Sequence, residues 1–225
     1  MSNGQTSVSS PEQARAYGKP IEILVGTDET SFYIHEGIVR ASSKFFDNAL
    51  KPGWVESKER CVRLPEDDPD VFSIYQEWPY SLQIRVGAKE IAELYVVLCK
   101  AYCLGEKLMD CNFKDAIINE IIRNTKVVID GEIYFPGDWA IKLSYEGTTH
   151  ISHLRKLLVD FLVYEAEGSW LSKGSMDVLP KEYLFDIAIG MTNARDEVPA
   201  KAPWKDESQV KALYHSRREE KDSRK

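Results

Sequence analysis

Histidine, cysteine and acidic side chains are where chemistry would begin in this 225-residue chain. The histidines are His35, His150, His153 and His215, and the cysteines are Cys61, Cys99, Cys103 and Cys111. His150 and His153 stand three apart and could share a helix face. Cys99 and Cys103 stand four apart on a predicted helix, hence on one face. A zinc site or a Cys/His nucleophile needs such groups converging in a specific fold context, which the sequence does not supply. Neither HExxH nor Gly-x-Ser-x-Gly occurs, and there is no Gly-rich phosphate loop. The pairs Asp67-Asp68 and Glu219-Glu220 read as a helix start and as tail charge. Cys99 and Cys103 read as small apolar core residues and the thiols as reduced. No enzyme is expected, and no catalytic, metal-binding or cofactor-binding residue.

Charge and hydropathy narrow the partners. The net charge of −7 and sequence pI of about 5.3 give no global basic field, which disfavours nucleic acid. No apolar run is long enough for a membrane span. The first residues, MSNGQTSVSSPEQ, lack the basic start and apolar stretch of a secretory signal. A cytoplasmic or nuclear protein is expected. An apolar fraction of 43% is enough to bury a core.

The elements follow from periodicity. Ile21, Ile23 and Val25 alternate as a strand. Gly26 to Thr30 has turn chemistry, and Phe32 and Ile34 alternate again, so a hairpin is expected. Ile38, Val39, Ala41, Ser42, Phe45, Phe46, Ala49 and Leu50 predict one helix, ended by Pro52-Gly53. Trp54 sits in the loop that follows, and Val62 and Leu64 form a short strand. Asp67, Asp68 and Pro69 start a helix with the stripe Val71, Phe72, Ile74, Tyr75 and Trp78; Pro79 should end it early. Ile84 and Val86 suggest a fourth strand. A long helix is expected from Lys89 to Leu108, divided or ended at Gly105, and another around Phe113 to Ile122.

Beyond Thr125 the segment VVIDGEIYFPGDW reads as a linker or as a helix start near Pro136 to Trp139. Leu154, Leu157, Leu158, Phe161, Leu162 and Tyr164 mark an amphipathic helix whose broad apolar face its own chain should largely cover. After a Gly/Ser-rich break, Tyr183, Leu184, Ile187 and Ala188 mark a last helix. Residues 196–225 hold eight basic and seven acidic side chains, so this tail reads as solvated.

Taken together and in order, several of these motifs resemble the BTB/POZ domain. They are Val25-Gly26, Phe32-Tyr33-Ile34-His35, Ile38-Val39, Ser42-Ser43-Lys44-Phe45-Phe46, Glu56-Ser57, Val62-Arg63-Leu64, Phe72, Glu77-Trp78, Tyr80-Ser81, Leu94-Tyr95 and Cys99-Lys100-Ala101. Tyr145-Glu146-Gly147-Thr148 and Leu154-Arg155-Lys156-Leu157-Leu158-Val159-Asp160 resemble the helical tail of fungal BTB proteins. The resemblance implies an α+β BTB/POZ fold, a small sheet with a cluster of helices, followed by a helical extension. The expected division is a disordered lead at 1–18, the BTB/POZ domain at 19–125, the extension at 126–192 and a charged tail at 193–225.

The same resemblance implies a protein-protein interaction module. BTB domains form homodimers or heteromers, and many recruit cullin-type ubiquitin ligases through a hydrophobic residue, any residue, then Glu. Trp54, Val55 and Glu56 match that pattern and are the expected partner-binding residues. His35, Phe45 and Phe46 are expected to be structural, with a buried neutral His35 imidazole bridging two backbone groups. Pro20 and Glu36 stand where repressor-type members carry a charged pair, so a charged dimer pocket is not expected. The expected role is a substrate adaptor for a cullin-type ligase; the alternative is a self-associating scaffold or a nuclear regulator with no ligase role.

Overall fold

Alternation in Pro20–Val25 (β1) drives Ile21, Ile23 and Val25 into the core, each at most 1% exposed. In the computed structural model, residues 18–88, 90–166, 170–171, 175, 177–196 and 202–216 are described. The disordered lead expected at 1–18 lies, but for residue 18, outside them. Thr30–His35 (β2) returns antiparallel, in register from Pro20 opposite His35 to Val25 opposite Thr30. Cys61–Leu64 (β3) runs parallel to β1, so the sheet has the order β2-β1-β3. The fold is thus α+β, with a small mixed sheet and a predominance of helices among the described residues.

The single helix expected over 38–50 is two: Glu36–Ser42 (α1) and Lys44–Ala49 (α2). Ser43 breaks it by adopting an extended backbone (φ −112°, ψ 119°). Its buried Oγ accepts from the Phe46 N–H at 3.1 Å and donates to the Leu108 carbonyl at 2.6 Å. One hydroxyl thus caps α2 and ties it to a distant element, which a continuous helix could not do. Val55–Glu59 (α3) is a short helix where a loop was expected, and Trp54 is its N-cap.

Pro69–Ser81 (α4) starts as its sequence predicts: the Asp68 carboxylate accepts from the Asp70 N–H, and Pro69 occupies the first turn. It does not end at Pro79 but continues to Ser81, closing at Leu82 in the left-handed region. Proline leaves the Tyr75 carbonyl without its usual helical donor, but Leu82 N–H still reaches the Trp78 carbonyl at 2.8 Å. Ile84 and Val86 form no strand; they pack, half-buried, against the core from an irregular segment.

Ile91–Lys107 (α5) packs on α4, which itself packs on β2, and Cys111–Asn124 (α6) packs on α5. Gly105 neither divides nor ends α5. A Cβ there would stand 2.8 Å from Lys114 Cγ and 3.0 Å from Phe113 Cδ1, so the glycine lets α6 approach. In the segment 127–139, read as a linker or as a helix start near Pro136 to Trp139, Val128–Ile129 (β4) and Glu132–Ile133 (β5) form a hairpin where a linker was an option, and a helix does start at Asp138. Asp130 and Gly131, at φ 52° and 85°, make the turn.

Asp138–Gly147 (α7), His153–Glu165 (α8) and Lys181–Asp196 (α9) follow. Part of the segment expected to be a solvated tail folds back. Pro203–Lys205 forms a 3-10 turn and Glu207–Tyr214 forms α10. Trp204 (2% exposed) meets the Phe161 ring edge-on at 5.0 Å, and the buried Tyr214 hydroxyl donates to Asp160 Oδ2 at 2.6 Å. This segment covers part of the apolar face of α8, so one continuous core runs from Ile21 to Tyr214. Arg217, Arg218 and the residues after them lie outside the described residues.

Candidate functional site

Two adjacent phenylalanines on a helix cannot both face the core. Phe46 takes it, fully buried and stacked 6.4 Å from Tyr75, while Phe45 is half-buried beside it with ring centroids 5.2 Å apart. Phe45 is therefore a wall rather than a core residue. Its N–H donates to the Leu108 carbonyl at 3.3 Å, the same oxygen that Ser43 holds. That pairing brings Met109 (φ 52°, 42% exposed) to the same place.

The chain then turns through Lys51 to Gly53, and the Trp54 N–H closes the turn on the Lys51 carbonyl at 3.3 Å. Trp54 and Val55 emerge 61% exposed, with Glu56 half-buried beside them. Phe45, Ala49, Trp54, Val55, Val62 and Met109 line an apolar groove of about 360 Å³, with Glu56, Glu59 and Arg63 at its polar margin. Arg63 is paired to Glu59 at 3.2 Å and reaches Glu29 at 3.8 Å. The Glu56 carboxylate has no ion-pair or hydrogen-bond partner among the described residues.

The structure thus brings Trp54, Val55 and Glu56 together at one lip and adds Phe45 from the expected core set. His35 lies apart, at the junction of β2 and α1. Its ring is half-buried, not buried, with Nδ1 2.8 Å from Tyr80 Oη; its backbone N–H donates to the same oxygen at 2.9 Å. A hydroxyl can accept from the amide and donate to the ring at once, so the contact locks the end of β2 onto α4. The sequence reading missed Phe45 and Met109 as wall residues. The only local sign was the Phe45-Phe46 pair, which cannot be buried whole.

Two of the imidazoles come near one carboxylate: His215 Nδ1 stands 3.8 Å from Asp115 Oδ2, and His153 lies within electrostatic reach of both. Burial pushes Cys99 and Cys103 up to about 12, well away from thiolate chemistry. Burial also lowers His153, which starts α8, whereas His150 lies in the preceding connection. Among the described residues no three His, Cys, Asp or Glu side chains are grouped to hold a metal, and no helix is long and apolar enough to cross a membrane. What the groove can do is bind: its walls are apolar, its lip is aromatic and its margin carries an unpaired acid. No protein-family model and no curated protein matches the chain.

Proposed function

We propose that this chain is a protein-interaction module of the BTB/POZ type with a helical extension, acting as a substrate adaptor for a cullin-type ubiquitin ligase. The observation that carries the reading is the exposure of Trp54 and Val55, 61% each, at the lip of an apolar groove. A tryptophan held in water by a short helix is a ready anchor for a partner pocket. Glu56 beside it supplies the acid that fixes register. In this reading residues 126–192 hold the substrate.

Trp54→Ala should weaken binding of a cullin amino-terminal fragment by at least about thirtyfold, the cost of a hot-spot truncation. Glu56→Ala should weaken it less. Titration calorimetry reads both, and a wild-type chain that releases no heat with the fragment ends the adaptor reading. A second reading, a self-associating scaffold, is favoured by α9, whose outer face leaves Leu184, Phe185, Ile189 and Met191 exposed. In that case the solution mass doubles and Phe185→Glu returns it to the monomer.

A further inference from the structure

The groove beside Trp54 has a backbone floor, and that floor selects the shape of what enters it. β3 is an edge strand, paired to β1 on one side only. In its parallel ladder the Glu22 N–H donates to the Arg60 carbonyl at 3.0 Å, and the Gly26 N–H to the Leu64 carbonyl at 3.0 Å. Residues of a parallel strand alternate in the side to which they turn their N–H and C=O. Val62 and Leu64 therefore face β1, and Cys61 and Arg63 turn their N–H and C=O groups outward. Among the described residues nothing bonds those outward groups. Cys61, Val62 and Arg63 are all lining residues of the groove.

Unpaired strand-edge groups next to apolar walls form a template for an added strand. We propose that the groove binds an extended peptide segment of a partner as a fourth strand on β3, with apolar side chains set against Phe45, Trp54 and Met109. The inference rests on the reading of the Trp54 groove as a docking site. Charge complementarity names the rest of the occupant. Glu56 is unpaired at the lip, and Glu59 shares Arg63 with Glu29. A segment alternating basic and aliphatic residues meets both requirements, because alternate side chains of a strand point to opposite faces. The added strand is short, since β3 spans only Cys61–Leu64.

The test uses the full chain and a decapeptide alternating lysine and valine. Arg63→Pro deletes one outward N–H and leaves the ladder to β1 intact, since proline is tolerated on a strand edge. It should weaken peptide binding by about tenfold, the worth of one hydrogen bond plus blocked access. Arg63→Ala, which keeps the N–H, should stay within about twofold, as expected for an exposed ion pair. On the wild-type chain, which needs no variant to fold, the peptide should slow hydrogen exchange at the Cys61 and Arg63 amides. If Trp54→Ala weakens binding while Arg63→Pro and the two amides are indifferent, the partner docks by side chains alone: strand addition is overturned and the docking reading stands. If the wild-type chain ignores the decapeptide, strand addition falls by itself, because the docking reading is judged with the cullin fragment. If the chain alone dimerises and Arg63→Pro abolishes it, the fourth strand is a second copy's β3 and the partner peptide is overturned.

Discussion

Asp110 shows how single side chains hold the frame of the groove. It is fully buried, accepts from the Phe113 N–H at 3.0 Å as the cap of α6, and accepts from the Tyr75 hydroxyl at 3.1 Å. Asp110→Ala leaves that amide buried without its cap and the Tyr75 hydroxyl with only the long contact to Ser42 Oγ at 3.4 Å, and should cost about 2–4 kcal/mol in urea unfolding. Burial raises the Asp110 carboxyl above its ordinary range in spite of these bonds. A carboxyl raised in the fold stabilises most below its unfolded pKa, near about 3.9, and loses that contribution as pH rises through the folded value. The stability advantage of wild type over Asp110→Asn should therefore shrink from pH 4 upward. A constant gap across that range would contradict the assignment. Residue types carried part of this. The polar character of Ser42-Ser43 and the packing of Phe46 were legible, but the partners Leu108 and Tyr75 lie far away in sequence, beyond any local pattern.

At the scale of elements, the groove exists because α2 is separate from α1. Ser43→Ala removes the cap and the bond to Leu108, and should cost about 1–2 kcal/mol. It should also loosen Phe45 and Met109, read as faster exchange at the Phe46 amide; unchanged exchange there would mean that packing alone holds α2. Gly105→Ala should cost about 1–3 kcal/mol by pushing α6 away, which thermal unfolding would read. Strands and long helices were legible because alternation in β1 and the stripe on α4 are strong signals. The exceptions have physical causes. An apolar period cannot reveal a one-residue break at Ser43. Pro79 is accommodated because the turn still closes between Leu82 and Trp78. Ile84 and Val86 alternate but find no free strand to pair with. Asp130-Gly131 is the strongest short hairpin signal in the chain, and its two-residue strands were too short to read by alternation.

For the whole molecule, the core does not stop where the α+β part does. α7 and α8 pack on, and residues 202–216 close over α8 with Trp204, Val210 and Tyr214. Lys156 holds Asp160 Oδ2 at 2.9 Å while Tyr214 bonds the same oxygen, and Lys205 reaches Glu165 at 2.5 Å. Trp204→Ala should cost about 3–5 kcal/mol and free this segment. Limited proteolysis would show it as early cleavage C-terminal to α9 with the remaining fragment intact. That closure was illegible in sequence, because three large apolar residues spread among mixed charges make no period.

The central claim, that the exposed Trp54 lip recruits a cullin-type partner, is tested most directly by light scattering of the purified chain with an excess of a cullin amino-terminal fragment. The account predicts a new stable complex for wild type and none for Trp54→Ala, whose own mass stays unchanged. A mass that ignores the fragment in both, or a complex that survives Trp54→Ala, would contradict it.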